Sequence, residues 1–469
     1  MPISTLQKEL LIHMSLFLRS EDHEQLSCTA KPFKNLDIEK ALYSESVTAD
    51  LSLLKRIRCY HNGIMETQTN GTSSSATSSE QTDNNFDTGH YQSKKPKTTN
   101  TEQQATESNA SAIKELIITS NAAEDLINDD LKILAELGFI HNNTETINLW
   151  YCNQITDLSP LISCTALENL NLGECTQITD LNPLVSCTAL KSLDISFCDQ
   201  IIELSPLTHC TMLSSLNLTF CDQIKDFSAL SKCLALTNLD IGGCDQITDQ
   251  ILNQITSYAA VTSLRLAFSN QIRNLTPLRN YRALEKLDLK ECKNIEDLSP
   301  LIHCKKLKIL NLIFCDQITN LSPLVDCNAL ESLDLRGSGN ITDFSPLEKC
   351  TQLTNLGLYR CIEITDLRPL ENCTKITSIN LGGCKKINDL GPIAQYISLE
   401  NLDLSWCYNI TSLSPLASCT TLKTLNLKFC SQTVDLTPLA NHPNLSKLIR
   451  PDGKKIDLAP LSNTRQSRP

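Results

Sequence analysis

The chain has 469 residues, with 41 Lys and Arg against 53 Asp and Glu, giving a formal charge of −12. That length exceeds one compact core, so more than one unit is expected. The acidic balance argues against a nucleic-acid binder, which carries a basic footprint, and no apolar run of about 18 residues is present to span a membrane.

The chain opens with Met1–Ser20, an apolar stretch that carries Glu9 and His13 and lacks a basic start. It reads as a helix rather than a signal peptide. Leu6, Leu10, Leu11, Met14, Phe17 and Leu18 recur at three- and four-residue steps, the stripe of an amphipathic helix. Ser20, Glu21 and Asp22 mark its end, and shorter helical pieces are expected around Leu26–Phe33, Leu36–Tyr43 and Leu51–Ile57. Residues 1–60 are thus predicted to form a small all-α domain.

Residues 61–112 change character. The polar, low-complexity stretches TQTNGTSSSATSSEQTDNN and KTTNTEQQATESNAS bury too little apolar area to offset chain entropy, which predicts a disordered linker. The basic cluster Lys94-Lys95-Pro96-Lys97 within it is readable either as a nuclear import address or as solvated linker.

From Ile113 onward one phrase recurs. Cys152, Cys175, Cys198, Cys221 and Cys244 are 23 residues apart. After one longer unit the same step resumes at Ser269, Cys292, Cys315, Ser338, Cys361, Cys384, Cys407 and Cys430. A fixed period in this range predicts a solenoid, because one unit cannot bury its apolar face without a neighbour. In the unit from Leu167, Leu170 and Leu172 alternate with polar residues as in a short strand, while Cys175, Ile178, Leu184 and Cys187 point inward. A Ser-Pro pair, as in Ser159-Pro160, Ser299-Pro300 and Ser414-Pro415, predicts a short helical turn capped by serine with proline first.

The stacked strands should form a parallel sheet on the inner face of an arc, with the helical turns outside. An opening unit with a helical Leu126–Leu137 part and a fading unit at Leu445–Leu461 are expected to cap the stack, so that the repeats cover 113–462 and 463–469 is a tail. The unit starting at Cys244 lacks proline and has two extra residues, which predicts a bulge or a longer helix there.

Twenty-two cysteines could signal a disulfide scaffold, yet nearly all fall on two repeat positions typified by Cys175 and Cys187, and no C-x-x-C pair occurs. Packing thiols in a reducing, cytoplasmic setting fit this better than disulfides or zinc, and no metal or other cofactor is expected. No phosphate loop, H-E-x-x-H or G-x-S-x-G motif is present, and although His209 and His303 adjoin Cys210 and Cys304, those cysteines sit on packing positions. No catalytic residue is therefore assigned, and the chain is read as a binding protein rather than an enzyme.

The outward strand positions are where a partner would dock. The central one is mostly Asn or Asp, as at Asn171, Asp194, Asn217 and Asp240, which either solvate the sheet or meet a ligand. The residue before the repeat cysteine is often aromatic: Tyr151, Phe197, Phe220, Phe268, Phe314, Trp406 and Phe429, with Trp150 and Tyr359 one position earlier. Aromatic residues flanked by polar ones suit an interaction hot spot for a protein target.

The repeat pattern over about 350 residues resembles the leucine-rich-repeat family. Its D-L-S-P-L units resemble those of bacterial internalin-like proteins, and the unit from Cys244 to Ile255 resembles the cysteine-containing repeats of F-box proteins. At the N-terminus, Leu6, Glu9-Leu10-Leu11, Phe17-Leu18, Asp22, Leu26 and Lys31-x-Phe33 resemble an F-box, with Gln7 where proline is usual and His23 where leucine is common. That resemblance implies an adaptor-binding face of Leu6, Leu10, Leu11, Phe17 and Leu18, contacting the adaptor subunit and cullin complex of a ubiquitin ligase while the repeats present a target. The internalin-like flavour hints at a bacterial effector acting in host cytosol. The alternative is a repeat scaffold with no ligase role.

Overall fold

The computed structural model describes residues 46–49, 54, 114–118, 123, 125–256 and 261–457. The chain separates into two compact units between Leu193 and Asp194. The proposed adaptor face (Leu6, Leu10, Leu11, Phe17 and Leu18), the whole of the proposed linker 61–112 and the tail lie outside the described residues.

In the second unit, the coil built around Cys292 shows why the period is 23. Leu284, Leu287, Leu289, Cys292, Ile295, Leu298, Leu301 and Cys304 are each at most 1% exposed. Burial of each leucine contributes about 1.5–3 kcal/mol, and no coil could achieve it alone. The strand Lys286–Asp288 pairs in parallel with Ser263–Arg265 on one side and Ile309–Asn311 on the other, leucine beside leucine. The same register runs through every strand from Ser215–Asn217 to Lys447–Ile449.

Opposite the strands each coil makes one 3₁₀ turn, such as Ser299–His303. Its cap differs from the expected one. Serine is the first residue of the turn, proline the second, and leucine occupies the cap position without donating a side chain. The amide of the serine instead donates to a carboxylate or amide oxygen two residues earlier: Ser159 to Asp157 at 2.8 Å, Ser299 to Asp297 at 2.8 Å, Ser322 to Asn320 at 2.8 Å and Ser345 to Asp343 at 2.9 Å. The core claims the cap position for leucine, so the capping oxygen moves one residue upstream and closes an Asx turn.

The unit after Cys244 replaces the 3₁₀ turn by a helix, α2, at Asp249–Thr256, so of the bulge or longer helix expected from its extra length the helix is what forms. Asp249 Oδ1 accepts amide hydrogens from Arg273 at 2.8 Å and Asn274 at 3.0 Å, tying this helix to the next coil. The helix of the opening unit, α1 (Asn128–Glu136), uses the same device in the first compact unit. There Asn128 Oδ1 accepts from Thr156 at 2.9 Å and Asp157 at 3.0 Å.

Both ends depart from expectation. In the first unit Ser46–Ala49 is a strand, pairing in parallel with Glu115–Ile118 so that Val47 stands beside Leu116. These residues therefore do not belong to an all-α domain; the sheet claims them, and Leu54 beyond them is helical and buried. At the other end the last described strand does not extend the parallel stack. Lys455–Asp457 turns back antiparallel to Lys447–Ile449. Gly453, at φ +81°, makes the reversal possible, and its amide donates to the Arg450 carbonyl at 2.9 Å.

Candidate functional site

One backbone feature places the aromatic residues. In every regular coil the residue before the repeat cysteine or serine has positive φ. Glycine stands there at Gly243, Gly337 and Gly383, whereas the other coils carry a side chain, with φ between 56° and 67°. The conformation is imposed because the chain must turn the following cysteine inward while its own amide still feeds the neighbouring coil: Phe197 donates to the Thr219 carbonyl at 2.8 Å, Phe268 to Lys290 at 2.7 Å and Trp406 to Lys428 at 2.9 Å. A left-handed residue other than glycine costs about 1–3 kcal/mol. Tyr151, Phe197, Phe220, Phe268, Phe314, Trp406 and Phe429 all occupy this column.

Their rings are not drawn into the core. Phe197, Phe314, Trp406 and Phe429 remain about 40% exposed, and Tyr151, Phe220, Phe268 and Tyr359 are half-buried. In the second unit they collect into two patches. Phe197 stacks on Phe220 with centroids 4.7 Å apart, Phe220 reaches Phe268 at 6.2 Å across Gly243, and Lys290 Nζ lies 5.0 Å from the Phe268 ring centre. Trp406 and Phe429 are 4.1 Å apart, Tyr408 meets Trp406 edge-on at 6.2 Å, and Lys428 and Lys385 lie 4.8 Å and 6.0 Å from the Phe429 and Tyr408 rings. Phe314 and Tyr359 join neither patch; they lie over Gly337 and Gly382. In the first unit Trp150 and Tyr151 pair at 5.6 Å.

Sequence reading missed Tyr408 and Lys385. Both stand one residue after a repeat cysteine, a column otherwise filled mainly by Asn, Asp and other polar residues, and the interruption Ile362, Lys385, Tyr408 is the signal that marks them.

The Asn and Asp column is engaged internally. Its Oδ1 accepts the amide hydrogen two residues on: Gly173 to Asn171 at 2.9 Å, Ser196 to Asp194 at 2.9 Å, Thr219 to Asn217 at 3.0 Å and Ser405 to Asp403 at 2.8 Å. Remaining oxygens meet the neighbouring coil, as where Asn217 Nδ2 donates to Asp194 at 2.9 Å and Asn426 Nδ2 to Asp403 at 3.0 Å. Arg265 takes the place of an acid in this column and bridges Asp240 at 3.1 Å and Asp288 at 3.2 Å. This column shapes the strand end and leaves the aromatic column as the candidate surface.

The thiols face the opposite way. The twenty cysteines among the described residues are buried and not joined in disulfides. Burial pushes Cys292 and Cys315 up to about 12, and their Sγ atoms donate to the Leu266 and Leu289 carbonyls, each at 3.0 Å. Cys304, beside the exposed His303, is likewise pushed up to about 12 by burial and donates to Leu278 at 3.7 Å. A second ladder accepts substitutes: Tyr281 and Tyr396 stand on its cysteine positions and donate to the Ile255 carbonyl at 3.4 Å and the Leu370 carbonyl at 2.9 Å.

The pattern of inward leucines, strand, left-handed residue and turn matches a known repeat. The tandem form of the leucine-rich repeat matches residues 145–186 and 165–209, and the single form matches 209–226. Residues 145–226 are leucine-rich repeats. Among solved leucine-rich-repeat structures, the internalin InlF of Listeria monocytogenes is 28% identical, with a TM-score of 0.52, covering 62% of this chain and 82% of its own. A leucine-rich-repeat protein of Leptospira interrogans, 17% identical, shares the fold with a TM-score of 0.57 over 73% of this chain and 84% of its own. No curated protein matches the chain.

Proposed function

We propose that this chain is a non-enzymatic leucine-rich-repeat scaffold that holds a protein target against its aromatic patches. The observation that carries this is the combination of strain and exposure in one column. Phe197, Trp406 and Phe429 occupy left-handed backbone that glycine would adopt freely, yet their rings stay in water rather than in the core. Backbone preference disfavours a large ring there and the stacked rings are only partly covered, and strained aromatic residues kept at a surface fit a docking role.

The finer reading is a substrate-recognition subunit. The F-box-like segment at Leu6–Phe33 would dock a ubiquitin-ligase adaptor through Leu6, Leu10, Leu11, Phe17 and Leu18, linking the target to a cullin complex in the cytosol, that of a host cell if the chain is a bacterial effector. The sequence resemblance of that segment supports this reading. A scaffold without ligase role is the alternative, supported by the 28% identity with an internalin.

The test is capture from a eukaryotic lysate with the full chain, its Leu10→Asp/Phe17→Asp variant and its Phe220→Ala/Trp406→Ala variant. The ligase reading expects adaptor and cullin with the full chain and their loss in the first variant. The docking reading expects the remaining partners to be lost in the second. Capture that is indifferent to the second variant overturns the aromatic site, and absence of adaptor and cullin leaves the scaffold reading.

A further inference from the structure

The two aromatic patches of the second unit differ in the cations beside their rings: Lys290 lies against the first, whereas Lys428 and Lys385 lie against the second. Between 423 and 457, around Phe429, the chain has six basic residues and three acidic ones, against a net charge of −12 overall.

The basic residues near the second patch divide into paired and unpaired ones. Lys386, Lys423 and Lys454 pair with Glu363, Glu400 and Asp452. Among the described residues, Lys385 and Lys428 have no carboxylate partner and lie instead beside the Tyr408 and Phe429 rings. The nearest column acid, Asp403, has both oxygens engaged, with Ser405 and Asn426. The terminal turn adds Arg450 and Lys455, both exposed, and it adjoins the patch through the Phe429 amide, which donates to the Pro451 carbonyl at 3.0 Å.

We infer that the Trp406–Tyr408–Phe429 patch, with Lys385 and Lys428, binds an acidic protein segment that carries an apolar side chain between its carboxylates. The inference rests on the docking role proposed above and adds the partner's chemistry. The apolar side chain lies over the Trp406 and Phe429 rings, and the flanking carboxylates meet the two ammonium groups, which a ring face alone does not neutralise. Single-stranded nucleic acid also combines stacking with cationic contacts. The overall negative charge and the Asp column beside the patch oppose a polyanion of that length.

The probes are fluorescein-labelled peptides with a central Phe-Leu pair, flanked by glutamates in one and by lysines in the other, measured by anisotropy with the full chain at low salt. The glutamate peptide is expected to bind about tenfold more tightly, the scale of two exposed charge contacts. Lys385→Glu/Lys428→Glu should invert the preference, Trp406→Ala should weaken both peptides, and unchanged thermal melting of each variant shows that the fold is intact. Equal affinities, no binding of either peptide, or a preference that survives the charge reversal overturns the inference. Tighter binding of a thymidine oligonucleotide than of the glutamate peptide overturns it in favour of nucleic acid. Lysate capture that depends on Trp406 but not on the two lysines keeps the docking role while removing the acidic partner.

Discussion

The ring of Phe220 fills the space that a β-carbon at Gly243 would need. Gly243 also holds φ +71°, so a side chain there meets both a clash and an unfavourable backbone. Gly337 stands in the same relation to Phe314. Gly243→Ala should therefore lower stability by about 1–3 kcal/mol, read as a fall in urea midpoint, and shift Phe220 off its stack with Phe197. An unchanged midpoint would mean that the ring yields without cost.

The same column allows the opposite experiment. Glu291 has φ 58° and belongs to neither aromatic patch. Glu291→Gly should relieve the left-handed strain and raise stability by about 1 kcal/mol after the entropy of a glycine in the unfolded chain is deducted. Phe197→Gly relieves the same strain but removes a stacked ring, so its net stability change should be smaller while partner capture falls. Equal gains in the two variants would show that the Phe197 ring contributes nothing to the fold.

The repeat period, the inward positions and the helix at Asp249–Thr256 were legible because each is written locally and repeated in every coil. The strand Ser46–Ala49 was not, since its partner Glu115–Ile118 lies beyond a long polar stretch and four residues carry no period of their own. The antiparallel return at Lys455–Asp457 was hidden because Asp457-Leu458-Ala459-Pro460-Leu461 repeats the turn phrase of the earlier coils, while Gly453 reverses the chain; the one break in spacing is Leu448 to Leu458, ten residues where Leu425 to Leu436 is eleven. The aromatic column was visible, but its left-handed backbone was not. The one clue was glycine at 243, 337 and 383 in a column otherwise occupied by large side chains. The Asn and Asp column could be read from sequence as surface or as ligand contact, whereas its bonds to the amides two residues on are a matter of geometry.

The thiol ladder predicts which substitutes are tolerated. Ser338 occupies a cysteine position and donates to the Leu312 carbonyl at 2.7 Å, as Cys315 donates to Leu289 at 3.0 Å. Cys315→Ser keeps that donor and should cost under about 1 kcal/mol, whereas Cys315→Ala leaves a small void and removes the thiol's hydrogen bond, the Leu289 carbonyl keeping only the Cys292 amide at 3.0 Å, and should cost about 1–3 kcal/mol. Burial raises the Cys292 and Cys315 thiols, and the cysteines among the described residues are all buried, so they should resist a thiol reagent at neutral pH until denaturant is added. Rapid labelling of more than the cysteines outside the described residues would contradict a closed interior.

Acid sensitivity should arise from the turns. Asp157 and Asp226 are held below the usual carboxylate range first by the backbone amides of Ser159 and Ser228, and Asp297 and Asp343 first by the hydroxyls of Ser299 and Ser345. A carboxyl whose pKa is lower folded than unfolded stabilises the fold above its unfolded value, near pH 4, and that contribution disappears as pH falls through the folded value. The melting temperature should thus be flat from neutrality to about pH 5 and fall below it. Asn274 and Asn320 already accept the amides of Thr276 and Ser322 at the equivalent position, each at 2.8 Å. Asp297→Asn should therefore leave neutral stability nearly unchanged and reduce the acid slope, whereas Asp297→Ala should lower stability at every pH. An acid slope that is the same in Asp297→Asn as in the parent chain would place the sensitivity elsewhere.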